Sequence, residues 1–365
     1  MATGIYSMNS MPGRQNGIAL FVTMVMVTIM LLIMVSIAYQ EQLDFKRSSQ
    51  MLISDQVVLL ALSGESWAKK LLKDDEKDVD SLGDDWAQAI PVMPVEGGLL
   101  TGCIRDLNSR FNLNNFGYLG RPNSEAFADA LNEPTSSHVD TYLNLLALLE
   151  LDSSDERAAR IVDWIDADDE PVAPGGAEDL DYSIEDPPRM AANFGLTDLS
   201  ELVSIYGYSS ADLLALKPYV SVMSSETAIN VNTASRTLML ALMVNLDEYL
   251  VDTVIEGRPY ETVEDFYERI AEESGYLEAA EVKSDYLPEA LITVWSDYFE
   301  LNAQVSMAGI NMGLTSIFYR GQSSDDIQTI SRTFTYIPQL SIEEGQVDPL
   351  VSPCYVAPSE DEAVL

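Results

Sequence analysis

Gly17-Ile18-Ala19-Leu20-Phe21-Val22-Thr23-Met24-Val25-Met26-Val27-Thr28-Ile29-Met30-Leu31-Leu32-Ile33-Met34-Val35-Ser36-Ile37-Ala38 is the stretch on which the reading of this chain turns. Residues 18–38 contain no charge, proline or glycine. At about 1.5 Å of rise per residue they form a helix about 31 Å long, the thickness of a bilayer's hydrocarbon core. This composition predicts a membrane-spanning helix. The polar leader ahead of it, residues 1–17, has a single basic residue, Arg14. A cleaved secretory signal needs a basic start, an apolar region of about 7 to 15 residues and a small-x-small site. Ser36-Ile37-Ala38 offers the site, but the apolar run is too long for that class. A plain signal anchor fits the length. A third arrangement is a leader that ends in Gly17 directly against the apolar helix, without the usual gap.

Downstream, residues 39–73 hold no proline and one glycine, Gly64. Leu43, Met51, Leu52, Val58, Leu59, Leu62 and Leu71 recur at helical spacing, so one helix is expected to run on through Lys73. Asp74-Asp75-Glu76-Lys77-Asp78 is expected to end it in solvent. Residues 99–107 have strand length and composition. Three further strand-like runs span 298–307, 314–320 and 327–336, with Gly309 and Gly313, then Gly321 and residues 323–326, as their turns. Helical segments fill the interval. The expected fold class is α+β: a long N-terminal membrane helix packed on an antiparallel sheet, with a large helical domain inserted in the sheet. The expected divisions are a leader at 1–17, a membrane half-helix at 18–38, its continuation at 39–73, a sheet domain at 74–115 and 291–365, and an acidic helical insertion at 116–290.

The formal charge of −39 repels phosphate backbones and disfavours nucleic acid, while favouring divalent cations or basic partners. With His138 the sole histidine, read as a surface residue, zinc and histidine-based triads are improbable. There is no G-x-S-x-G and no phosphate-cradling loop, and carboxylates are too numerous for any two to signal acid–base catalysis, so the chain reads as a non-enzyme. Cys103 and Cys354 would be bridged if the domain is exported and the sheet brings them together; two buried free thiols are the alternative.

Residues 150–186 carry fourteen acidic side chains against Arg157 and Arg160. Asp166, Asp168 and Glu170 alternate as in the first half of a calcium loop, and Glu178, Asp179 and Asp181 follow after Gly175-Gly176. It is not an EF-hand, because position six is Pro171 and position twelve is Ala177. Two acidic clusters joined by a Pro and Gly turn repel unless a cation lies between them, and oxygen donors without His or Cys favour calcium. A solvated acidic loop is the plainer alternative.

The Gly17 leader resembles the class III signal of type IV pilins and pseudopilins, which prepilin peptidase cuts after the Gly before methylating the new N-terminus. That places the cut between Gly17 and Ile18. Most members have Glu at the fifth mature position; here it is Val22, a departure characteristic of the K-type minor pseudopilins of type II secretion. Phe111-Asn112-Leu113-Asn114-Asn115, residues 163–171, Gly176-Ala177-Glu178-Asp179 with Tyr182, residues 187–193 and Ile229-Asn230-Val231-Asn232-Thr233-Ala234 resemble that same family, in that order. The resemblance implies a type IV pilin-like fold with calcium held by Asp166, Asp168, Glu170, Glu178, Asp179 and Asp181. It also implies a single-pass protein of the Gram-negative inner membrane with a periplasmic head, acting at the pseudopilus tip in filament initiation and protein export. The implied partners are I-type and J-type minor pseudopilins, the H-type and major pseudopilins, and prepilin peptidase. The competing functional class is a membrane-anchored, calcium-dependent periplasmic protein that recognises secreted substrate.

Residues 229–266 also resemble helix-hairpin-helix modules that hold phosphate with hairpin N–H groups. Here the hairpin reads Met243-Val244-Asn245, and Arg236, Arg258 and Arg269 stand among eleven carboxylates over residues 226–273. Such a field repels phosphate, so the segment reads as a packing unit without nucleic-acid binding.

Overall fold

The computed structural model describes residues 16–75, 77–88, 90–118, 137–321 and 326–337. Helix α1 (Asn16–Asp74) is continuous over 59 residues, matching the periodicity. The chain divides into two compact units, residues 1–59 and 60–365. In the first, the large apolar side chains from Ile18 to Val35 are exposed. α1 is the one helix among the described residues long and apolar enough to cross a membrane. Gly17 and Ile18 lie in its first turn.

In the second unit the strands are β1 (Ile90–Val95), β2 (Gly98–Asp106), the two-residue strands β3 (Phe111–Asn112), β4 (Val220–Ser221), β5 (Ile229–Asn230) and β6 (Ile292–Thr293), then β7 (Tyr298–Met307), β8 (Ile310–Arg320) and β9 (Ile327–Tyr336). The main sheet has the order β1-β2-β7-β8-β9 and is antiparallel throughout. β2, β7 and β9 coincide with the expected runs to within a residue. β8 starts earlier than expected, and Gly313 lies inside it, paired with Gln304 and Thr335, not in a turn. The reason is the two-residue turn Ala308-Gly309. Its φ values of 48° and 83° meet the positive-φ demand of a type I′ hairpin, so the chain has reversed before Gly313 is reached. β1 is an additional strand whose Pro91 and Pro94 hide it from propensity rules; an edge strand tolerates prolines because fewer of its N–H groups are needed for pairing.

Alternation along β8 buries Leu314, Ser316, Phe318 and Arg320 on one face. Three of these meet α1 or its continuation. Ser316 Oγ donates to Glu65 at 3.0 Å, Lys69 Nζ lies 5.6 Å from the Phe318 ring centroid, and Arg320 Nη1 donates to Asp75 at 3.2 Å. The acidic run after α1 therefore does not end freely in solvent. Lys77 Nζ donates to the Gly321 carbonyl at 2.5 Å and pairs with Asp297 at 3.3 Å, so the run is clasped to the end of β8 by charges that sequence separation concealed.

The insertion leaves the sheet after β2 and returns before β7. Its helices are α2 (His138–Leu148), α3 (Asp155–Ile165), α4 (Asp179–Ser183), α5 (Ser210–Leu216), α6 (Arg236–Leu242), α7 (Glu248–Glu256) and α8 (Val263–Ser274), with shorter turns between them. They share one core that includes Phe111, Phe116, Tyr142, Val162, Leu238 and Phe266. The asparagine-rich motifs act as backbone mimics for loops that cannot pair as strands. Asn114 donates to the carbonyls of Leu196 and Met223, each at 2.9 Å, and accepts from Leu196 N at 2.8 Å. Asn115 exchanges the same pair of bonds with Thr227, and Asn232 with Tyr260. A buried carbonyl or N–H without such a partner costs about 1 to 3 kcal/mol, which explains amides at these positions. His138 is not the surface residue expected: its ring packs edge-on to Phe111 at 6.0 Å and only 13% of its side chain is exposed. Arg236, at the start of the helix-hairpin-helix-like segment, is engaged by Asp252 at 2.6 Å and Glu248 at 2.7 Å.

Candidate metal centre

α3 carries its apolar face into the insertion core and ends at Ile165, with Asp166 at its C-cap. Asp163 and Asp166 stand three apart, one turn of helix, and so project on the same side. The loop that follows folds back on Asp163, whose Oδ1 accepts from Val172 N at 3.0 Å. Gly176 closes that fold: a Cβ there would lie 2.0 Å from Asp163 Oδ2 and 2.6 Å from the Val172 carbonyl, a space only glycine leaves open. The close approach delivers Glu178, the residue before α4, to the acidic end of α3. The Trp164 ring meets Tyr182 of α4 edge-on at 5.3 Å and fixes the two helices together.

Of the six expected ligands, the fold brings Asp166, Asp168 and Glu178 together. Each offers a carboxylate oxygen, and these oxygens all lie within 4.8 Å of one another. Asp166 and Glu178 are buried and Asp168 is exposed, so the group opens to water on one side. Glu170, Asp179 and Asp181 do not join this group. Glu170 gives its N–H to Asp168 at 2.9 Å and leaves its side chain in solvent. Asp179 accepts from Ala191 N at 2.9 Å, and Asp181 from Glu178 N at 3.1 Å, so both brace the loop. Asp163, fully buried in the last turn of α3, stands beside this group and was not among the expected ligands; the usable signal was its i, i+3 relation to Asp166.

The electrostatics of the group are those of a site short of positive charge. Burial, then repulsion from Asp163, Asp166, Asp168 and Asp169, pushes the Glu178 carboxyl up to about 8. Burial also pushes Asp163 up to about 7, against the lowering effect of the Val172 and Ala177 amides. Both Glu178 oxygens and Asp163 Oδ2 are buried without a hydrogen-bond donor. A hard cation fits these donors. Oxygens within 4.8 Å of one another can share a centre at the calcium–oxygen distance of about 2.3 to 2.6 Å, and Glu178 has both oxygens to offer.

The family model for protein K of the type II secretion system matches residues 109–225, which contain all of these carboxylates. A type II secretion system protein K from Aeromonas hydrophila is 30% identical over 332 residues, covering 85% of this chain and 95% of that protein. Its counterpart from Pseudomonas aeruginosa is 30% identical over 325 residues, covering 84% and 90% respectively. Among solved structures, one chain of the GspK-GspI-GspJ complex from enterotoxigenic Escherichia coli superposes with a TM-score of 0.63 at 22% identity, covering 79% of this chain and 99% of that one. That likeness extends the fold over nearly the whole of the solved chain. With the identities and coverage above, it follows that this chain belongs to the type II secretion system protein K family of minor pseudopilins.

Proposed function

We propose that this chain is the tip subunit of the type II secretion pseudopilus. It starts filament assembly with I-type and J-type minor pseudopilins and supports protein export across the outer membrane. The observation that carries the reading is Val22, five residues after Gly17, on a helix whose head bears a helical domain inserted in the sheet. In a filament of parallel helices, a buried carboxylate near the helix start can pair with a neighbour's positive N-terminus. Val22 cannot make that pairing, which suits a subunit with none above it. The inserted domain would obstruct stacking within a shaft, which also suits a tip. The GspK-GspI-GspJ complex of the Escherichia coli relative supports the choice of partners. The H-type and major pseudopilins would follow in the filament. Prepilin peptidase would cut between Gly17 and Ile18, leaving a single-pass inner-membrane protein with its head in the periplasm. A Cys103–Cys354 bridge belongs to the same proposal: Cys103 is buried on β2, and Cys354 lies outside the described residues.

Calcium is proposed at Asp166, Asp168 and Glu178, with Asp163 beside them. When bound, the ion supplies the positive charge that these crowded carboxylates lack. Asp163 holds the loop closed through Val172, Glu178 is presented by the Gly176 turn, and Asp168 faces solvent. The role is structural, with no catalytic step assigned.

N-terminal mass spectrometry of the membrane-extracted protein tests the assembly reading. A mature end at methylated Ile18, with copurifying I-type and J-type partners, supports it; an end at Tyr39 sinks it, and an intact Met1 leaves a plain anchor. A head that captures exported protein without those partners would favour the substrate-binding class instead.

A further inference from the structure

A second acidic group lies where α1 gives way to the sheet. One carboxylate oxygen each from Asp75, Asp80 and Asp84 lie within 4.8 Å of one another. The residues sit on the short connection between α1 and β1, far in sequence from the acidic loops. Asp80 is fully buried. Its Oδ2 accepts from Ser296 N at 2.7 Å and from Arg320 Nη2, whereas its Oδ1 has no donor. Asp84 is held in place by Ser81, whose N–H and Oγ donate to its two oxygens at 2.7 and 3.0 Å.

Arg320 is the cation in contact with this group, and its geometry limits what it can neutralise. The guanidinium is fully buried and lies 4.7 Å from the Phe299 ring centroid. Nη1 goes to Asp75, and Nη2 to Asp80 and the Ser296 carbonyl. Asp84 is held by Ser81 instead, and Lys77 is taken by Asp297 and the Gly321 carbonyl. Three carboxylates against one guanidinium leave two uncompensated negative charges, the charge of one divalent cation. The donors are all oxygen, with no His or Cys in the group, which selects a hard ion.

We propose that Asp75, Asp80 and Asp84 form a divalent-cation site of the calcium class, separate from the acidic loops, that braces the end of α1 against β8. Asp80 supplies the buried ligand, Asp75 and Asp84 close the site from the connection, and Arg320 is the fixed positive charge behind it. Asn230 Nδ2 and Val294 O bond to the Asp80 backbone at 3.1 and 2.9 Å, so occupancy would also tighten the return of the insertion to the sheet.

The test uses the full-length chain in detergent, stripped with EDTA and titrated with calcium chloride. An Asp166→Asn/Glu178→Gln double variant removes the loop site and is expected to keep one calcium per chain by isothermal titration calorimetry. Adding Asp84→Asn should weaken the remaining binding about tenfold or more, since affinity follows ligand charge. Hydrogen exchange on the wild-type chain gives an independent readout that needs no variant to fold: calcium should slow exchange over residues 75–84 as well as over 163–178. Loss of all calcium binding in a folded double variant would overturn the proposal. So would slowed exchange confined to residues 163–178.

Discussion

Glu65 is the carboxylate by which α1 grips the outer strands of the sheet, and replacing it with glutamine isolates the ionic part of that grip. Its side chain is 4% exposed and accepts from Ser316 and Thr329 at 3.0 Å each and from Arg332 at 2.5 and 2.7 Å. Burial alone would raise its pKa. The bonds from Arg332, Thr329 and Ser316 outweigh burial and lower it from 4.5 to about 2. At about 1.4 kcal/mol per pH unit, that displacement corresponds to about 3 kcal/mol. Arg332 is 45% exposed, so solvent screening reduces the expected ionic contribution to about 1 to 2 kcal/mol. A carboxyl whose pKa falls on folding stabilises the fold fully above its unfolded value, and the contribution disappears as pH drops through the folded value. Glu65→Gln should therefore cost about 1 to 2 kcal/mol at pH 7. The cost should shrink from about pH 5 downward and be mostly gone by about pH 2. Urea denaturation of the detergent-solubilised chain, followed by tryptophan fluorescence at several pH values, measures the difference between variant and wild type. A gap of equal size at pH 7 and pH 2 would refute the reasoning, because it would mean the side chain contributes only by packing.

Gly176→Ala places a methyl on Asp163 Oδ2 and the Val172 carbonyl, and should lower stability by about 2 kcal/mol or more while abolishing calcium-dependent stabilisation; thermal melts with and without calcium check both effects. Calcium at 100 times its dissociation constant should stabilise the wild-type head by about 2.7 kcal/mol, read as a rise in melting temperature that EDTA reverses. Asn114→Ala strips partners from Leu196 N, Leu196 O and Met223 O and should cost about 2 to 4 kcal/mol, with hydrogen exchange accelerating first around residues 196 and 223.

Sequence and tertiary structure divide the determination of this protein unevenly. Periodicity alone specified α1, because burial in lipid or against a sheet demands an uninterrupted apolar pattern whatever the partner is. It also gave β2, β7 and β9, whose composition differs from everything around them. The family signature was legible in Gly17, Val22 and the asparagine motifs. Sequence could show that asparagines recur at 112, 114, 115, 230 and 232. Their work as substitutes for strand pairing depends on loops brought up from 28 to 150 residues away.

The candidate site was legible to about the same depth. The acidic composition of residues 163–181 was plain, but which oxygens converge was not. Asp163 enters through a helical turn and a glycine that permits close approach, while Asp179 and Asp181 are diverted to backbone N–H groups that only the folded loop supplies. The group at Asp75, Asp80 and Asp84 was invisible as anything but the end of a helix, since Arg320 is the charge that defines it and lies some 240 positions away. Sequence by itself determined the long apolar helix, strands β2, β7 and β9 and the family, because those follow from local pattern. Tertiary structure alone decided which charges are compensated and which are left wanting a cation, because Coulomb energies depend on distance in space and on burial, and neither is a function of separation along the chain.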